Sequence, residues 1–285
     1  MLSTTAKTIR FGHSPDPDDA FMFYAIAKGK IDMRGFQVEH VVEDIESLNQ
    51  RALKSELEVT AVSCHAYAHL ADQYLVMRSG ASVGDQYGPI LIARDGTLSG
   101  AWRPEDIRGK KIAIPGKLTT AYLSLQLFEK EFQPVFTPFD QIFDAVAAGK
   151  ADLGLIIHEG QITYEQLGFR NVLDLGVWWF EKHKLPLPLG IDVIRRDLGA
   201  ETMRSFSAVF KESIQYALDH REPALDYARE FGRGISEKLN DRFVGMYVND
   251  YTVDLNAKGH AGLCKLLQEG YEKGILPRLV VPQFI

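Results

Sequence analysis

A chain of 285 residues, 46% hydrophobic and 25% charged, has room for about two domains and is too apolar to be globally disordered. Thirty-two basic residues against 38 acidic ones leave a formal charge of −6 with no Lys/Arg block, which argues against a nucleic-acid partner. Cys64 and Cys264 make no disulfide framework and read as reduced, packed thiols; no run of about 18 apolar residues suits a membrane span, so the expected partner is a small molecule.

Residues 1–12, MLSTTAKTIRFG, lack the apolar stretch of about 7–15 residues that a secretory peptide needs, and a cytoplasmic protein is expected. Thr8 to Phe11 is predicted as a strand that runs into the loop His13-Ser14-Pro15-Asp16-Pro17-Asp18-Asp19. A helix follows in AFMFYAIAKGK, with Asp18 or Asp19 as its N-cap. Phe36 to Val42 alternates as a strand. Asp44 to Lys54 places Ile45, Leu48, Ala52 and Leu53 on one helical face, and Leu57 to Val62 is the next strand. Farther on, Lys110 to Ile114 reads as a strand, AYLSLQLFEKEF as a helix, Phe143 to Ala148 as a helix and Leu153 to Ile157 as a strand opening into His158-Glu159-Gly160-Gln161. From Asp197 onward the pattern is mainly helical, with Phe206, Val209, Phe210, Ile214 and Leu218 on one face. Alternating strands and helices imply an α/β architecture with largely parallel sheet.

The helix–turn–strand order of Leu48 to His65 recurs around Phe143 to Gln161, an internal echo. Gly88 to Asp95 and Gly190 to Asp197 share a glycine, an apolar run and an Arg-Asp end. Read as two crossings, they make residues 1–94 and 194–285 one discontinuous α/β lobe and residues 95–193 an inserted second lobe, with a ligand cleft between. Ordinary strands of one domain are the alternative.

Ligands of open α/β sheets bind outside the carboxyl ends of the strands. Four segments sit there: Ser14 to Asp19, Ser63 to His65, Lys117 to Thr120 and His158 to Gln161. Helix starts in two of them favour an anionic group, and Thr119 and Thr120 either bind it or only cap their helix. His158, at the end of an apolar strand, is suited to proton transfer at neutral pH or is a hydrogen-bonded structural histidine. His65 and His69 share a helical spacing but lack a third metal ligand, and the Asp16, Asp18, Asp19 run is broken by prolines as a calcium loop. No GxGxxG or GxxxxGK[ST] motif occurs, so neither metal nor nucleotide cofactor is expected. Trp178-Trp179-Phe180 could stack on a ligand or fill core, and Cys64 reads as packed.

HSPDPDDAFMFYAI, RSGASVGDQYGPILIAR, LTTAYLSLQLF, DLGLIIHEGQITY and YVNDYT, in this order, resemble the 1,4-dihydroxy-6-naphthoate synthase family of the futalosine route to menaquinone. The resemblance implies a two-lobed fold like the type-2 periplasmic binding proteins, in a cytoplasmic enzyme without cofactor or metal. It implies a carbon–carbon lyase that converts cyclic dehypoxanthine futalosine, a carboxylated substrate, to 1,4-dihydroxy-6-naphthoate and releases dihydroxyacetone. The family's proton acceptor falls on His158, and its substrate contacts on Ala61, Val62, Ser63, Thr119 and Thr120, with Asp19 and Asn49 added. The chain departs from the family pattern at Ala61, where lysine is common, and at Asp16 and Asp18, which replace cysteine and asparagine. A chorismate dehydratase of the same pathway and a non-catalytic solute-binding protein are the alternatives; the HEGQ run argues against the first and the absent export signal against the second.

Overall fold

The computed structural model describes residues 6–94, 103–231 and 236–285. Its strands are β1 (Lys7–His13), β2 (Phe36–Val42), β3 (Val59–Ser63), β4 (Tyr74–Val76), β5 (Ser82–Gly84), β6 (Ile90–Arg94), β7 (Lys111–Ile114), β8 (Gln133–Phe136), β9 (Leu153–Ile156), β10 (Phe169–Asp174) and β11 (Leu187–Arg195). They form two sheets, one in the order β2-β1-β3-β11-β4 with β5 also on β11, the other in the order β10-β6-β9-β7-β8.

The two sheets share a plan. In the first, β1 runs parallel to β2 and β3, and β11 lies antiparallel to β3. In the second, β7 runs parallel to β8 and β9, and β6 lies antiparallel to β9. The internal echo is therefore two copies of one strand arrangement. Each antiparallel strand pairs inside one sheet, so residues 90–94 belong with the second sheet and residues 187–193 with the first. This displaces the boundaries expected at 94/95 and 193/194; Asp95 lies outside the described residues. The chain passes between sheets before β6 and before β11. At the first passage Gly88 is packed on Gly176, where an added Cβ would meet backbone at 2.9 Å, so neither position has room for a side chain.

Local chemistry explains most element ends. Asp44 caps the helix Ile45–Leu53 by accepting from the N–H groups of Glu46 and Ser47. The helix Pro17–Ala27 begins earlier than expected: Asp16 is its N-cap, because Pro17 has no N–H to lose at the first helical position and its φ is preset. The helix Thr120–Phe128 stops four residues short of the predicted end, and the chain turns into edge strand β8, where Pro134 is tolerated.

Both sheets are covered by apolar side chains. Phe11 meets Phe23 edge-on at 4.6 Å and Phe210 at 4.9 Å beneath the helix Ala200–Asp219. Burial of each such ring contributes about 1.5–3 kcal/mol. Val62 and Trp179 join the core on the other face of the first sheet, with the Trp179 indole donating to the Pro186 carbonyl at 3.1 Å. Trp179 is therefore core, and none of Trp178, Trp179 and Phe180 lines the cavity described below. Among the described residues no helix is long and apolar enough to cross a membrane.

Candidate active site

The carboxyl ends of the parallel strands in both sheets face one cavity of about 130 Å³. Its wall takes Ser14, Asp18 and Asp19 from the loop after β1, Ala61 and Ser63 from β3, and Thr119, Thr120 and Ala121 from the turn after β7. Ile157 and Gln161 close it after β9, and Leu189, Phe243 and Tyr247 complete it from later chain.

Strand alternation decides which residues of β3 reach the cavity. Ala61 and Ser63 point in; Val62 points into the core and can offer only its backbone. Asn49 also stands behind the wall. It is fully buried, its Nδ2 donates to Ser63 Oγ at 3.1 Å, and its Oδ1 accepts from Ser63 N–H at 2.9 Å. Asn49 thus fixes the Ser63 backbone and rotamer, leaving contact with a ligand to Ser63.

Thr119 caps its helix by accepting from Tyr122 N–H at 3.2 Å, while its hydroxyl donates to the Gly116 carbonyl at 2.9 Å. Thr120 Oγ donates to the Leu189 carbonyl on β11. What this turn still offers a ligand is the set of first-turn N–H groups and the positive end of the helix. The seam between the sheets is further held by Glu46 Oε2, which accepts from Leu118 N–H at 3.0 Å, and by His65 Nδ1, 3.2 Å from the Thr119 carbonyl. A carbonyl only accepts, so His65 is protonated on Nδ1; burial lowers its pKa to about 4. His65 is thus a seam residue. Among the described residues no group of three His, Cys, Asp or Glu could hold a metal ion.

His158 is buried one position beyond the wall, with its ring edge-on to Phe139, which lines the cavity, at 5.5 Å. Its Nδ1 accepts from Gly160 N–H at 3.1 Å, and its Nε2 lies 3.2 Å from the Phe139 carbonyl. In this arrangement Nδ1 is an acceptor and Nε2 faces an acceptor. The Glu159 carboxylate reaches to 3.5 Å from Nδ1.

The first sheet contributes acids. Asp19 Oδ2 accepts from Ser14 N–H at 2.8 Å, but burial raises its pKa to about 6. Burial, and then the charges of Asp19 and Asp16, push Asp18 well above the ordinary carboxylate range. Asp192 on β11, behind Gly80, is raised by burial and then by Asp19. At the opposite rim the Tyr247 phenol donates to Gln161 Oε1, because Gln161 Nε2 already donates to the Gly88 and Ile156 carbonyls.

These motifs belong together in known proteins. The family model described as menaquinone biosynthesis matches residues 9–272. The chain is a member of that family. A 1,4-dihydroxy-6-naphthoate synthase of Thermus thermophilus is 38% identical over 279 residues, covering 98% of this chain and all of the relative. The enzyme of the same name from Streptomyces coelicolor is 31% identical over 281 residues, covering 96% and 97%. A crystal structure of a protein from Archaeoglobus fulgidus shares 46% identity and a TM-score of 0.88 over 96% of this chain and all of that one. The alkanesulfonate-binding protein of Xanthomonas axonopodis, at 12% identity and a TM-score of 0.73, shares the fold, covering 96% of each chain. The expected type-2 periplasmic-binding-protein fold is thus present in this menaquinone-biosynthesis family member.

Tyr247, Phe243, Leu189, Gly80 and Asp192 were not singled out as site residues from sequence. Only Tyr247 carried a signal, as the start of a segment both polar and aromatic, YVNDYT.

Proposed function

We propose that this chain is a 1,4-dihydroxy-6-naphthoate synthase, a carbon–carbon lyase acting on cyclic dehypoxanthine futalosine in the cytoplasm and releasing dihydroxyacetone. The observation that carries this reading is the cavity itself. It gathers Ser14, Asp18 and Asp19 of HSPDPDD, Thr119 and Thr120 of LTT and Gln161 of HEGQ at strand ends, with His158 directly behind the wall, in a chain coextensive with relatives of that name. The two sheets then act as lobes that close on the substrate and exclude water.

In this reading the substrate carboxylate sits against the helix start at Thr120 and Ala121, where the N–H groups and dipole supply the positive end. Ala61 leaves the neighbouring strand end without a charged contact, so the turn after β7 carries the anion. His158 is the general base. To take a proton on Nε2 it releases both the Phe139 carbonyl from Nε2 and the Gly160 N–H from Nδ1 and adopts the tautomer protonated on Nδ1, whose N–H the Glu159 carboxylate then accepts. Glu159 thereby holds the base in its working tautomer.

Incubation of the purified protein with cyclic dehypoxanthine futalosine tests the reading by the appearance of a naphthoate chromophore. Binding without product favours a solute-binding role; consumption of chorismate instead favours the dehydratase.

A further inference from the structure

Gln161 and Tyr247 meet at the rim where the ends of the two sheets come together, and Gln161 is bonded to the turn that carries His158 on both sides of the histidine. Its backbone N–H donates to the His158 carbonyl at 2.8 Å, and its Nε2 donates at 3.2 Å to the carbonyl of Ile156, two residues before the histidine. The same Nε2 donates at 3.2 Å to the Gly88 carbonyl, at the first passage between the sheets. The turn leaves little room for movement. A Cβ added at Gly160 would lie 2.7 Å from Phe143 Cε2 and 2.8 Å from His158 Cε1, so both rings pack directly on the backbone that leads into Gln161. A shift of Gln161 therefore shifts the imidazole.

With Nε2 committed to two carbonyls, the Gln161 side chain has only Oε1 left, and a carbonyl oxygen only accepts. Tyr247 supplies the proton. Its buried phenol donates to Oε1 from the helix Glu237–Tyr247, whose Val244 lies in the first sheet's core. Burial, and then Tyr87 and Asp18, hold the phenol well above its ordinary pKa, so it stays a donor. Without it Oε1 is a buried acceptor that favours rotation of the whole amide toward water, away from Ile156 and Gly88. Tyr87 gives the contrast. Its ring meets Tyr247 edge-on at 6.0 Å, but its phenol faces the Met246 and Val83 carbonyls, both on the first sheet's side.

We propose that Tyr247 is a positioning residue of the reaction. By donating to Gln161 across the rim it sets the Gln161 amide, and through that amide the His158 turn, so that the base is in register only while the ends of the two sheets are together. The kinetic consequence rests on the lyase reading above; the coupling of Tyr247 to the imidazole does not.

Tyr247→Phe removes one oxygen and keeps the ring packed on Phe243. The expected result is a fall in kcat of about 10–10² with KM little changed, as for a displaced catalytic group. Tyr87→Phe removes a phenol from the same helix end; it is expected to lower the melting temperature by a similar amount and to leave kcat near the wild-type value. Gln161→Glu is the second variant: its carboxylate still accepts from Tyr247 but donates to neither carbonyl, and kcat should fall at least as far. Imidazole nitrogen NMR of the full chain, with His158 assigned by difference from His158→Ala, reads the ring without substrate. At mildly alkaline pH, wild type and Tyr87→Phe should give two well-separated His158 nitrogen signals. Tyr247→Phe should bring them toward each other as the turn loosens and the ring leaves the Gly160 N–H. Equal kcat losses in Tyr247→Phe and Tyr87→Phe, wild-type kcat in Gln161→Glu, or unmoved His158 signals in Tyr247→Phe overturn the proposal. A wild type that forms no naphthoate overturns the lyase reading alone, because the nitrogen spectra still decide whether Tyr247 positions the ring.

Discussion

The carboxyl ends of the two sheets are built on the same strand plan and loaded with different chemistry. The first sheet's end holds buried acids, with Asp18 Oδ1 unpartnered and Asp19 held by the backbone N–H and side chain of Ser14. The second sheet's end has its hydroxyls and imidazole satisfied by local backbone: Thr119 by Gly116 and Tyr122, His158 by Gly160 and Phe139. A repeated scaffold thus supplies strand ends and helix starts twice, while short loop sequences decide that one copy carries buried carboxyls and the other an imidazole and a hydroxyl-capped helix start.

Substitutions at corresponding places sharpen that contrast. The largest effect is expected at the second sheet. His158→Ala should lower kcat by about 10²–10⁴ in a protein that unfolds at the wild-type temperature. Steady-state kinetics beside thermal melting checks this, and an active variant removes the base from that end.

The seam gives the next effect. His65 is lowered to about 4, so the folded protein binds fewer protons than the unfolded chain. Its stabilising contribution is complete above the ordinary value of about 6.5 and is lost as pH falls toward 4, a loss of about 3 kcal/mol. Asp19, raised to about 6, has the opposite sign: its burial increasingly destabilises the fold as pH rises from about 4 to 6. Urea titrations across this window should show His65→Asn less acid-sensitive than the wild type and Asp19→Asn more so; matching pH profiles in all three proteins would contradict the assignment.

The two braces are expected to differ more modestly. Asn49→Ala leaves the Ser63 amide and hydroxyl without their partner, at a cost of about 1–3 kcal/mol and with a raised KM. Thr119→Ala removes a helix cap, about 1 kcal/mol, and its effect on kcat should be far smaller than that of His158→Ala. A Thr119→Ala variant that retains stability but loses all turnover would assign the hydroxyl to the substrate rather than to the helix.

Much of this was legible in the chain. β1, β2, β3, β7 and β9 announce themselves through apolar runs or alternation over four to seven residues, and the strand-end rule brings Ser63, Thr119 and Asp19 to one cavity. β4 and β5 are three residues each and exist because β11 lies beside them; nothing local marks them. β8 carries Pro134 and continues an apparent helix pattern. Tyr247 and Leu189 arrive at the cavity from far along the chain by packing alone. Val62 shows the converse, since period-two alternation between Ala61 and Ser63 already assigns it to the core.

The bonds across the seam have a kinetic consequence. Leu118 to Glu46, His65 to Thr119, Thr120 to Leu189 and Tyr247 to Gln161 are all polar. Each exchanges for water with a net loss of only about 1 kcal/mol, whereas an apolar seam of the same extent would resist wetting. These four contacts form the polar part of the seam, beside an apolar part in which Leu123 and Leu127 of the helix Thr120–Phe128 pack into the first sheet's core. In the proposed reaction the polar part of the seam is the part that water can open to let the product leave without unfolding either half.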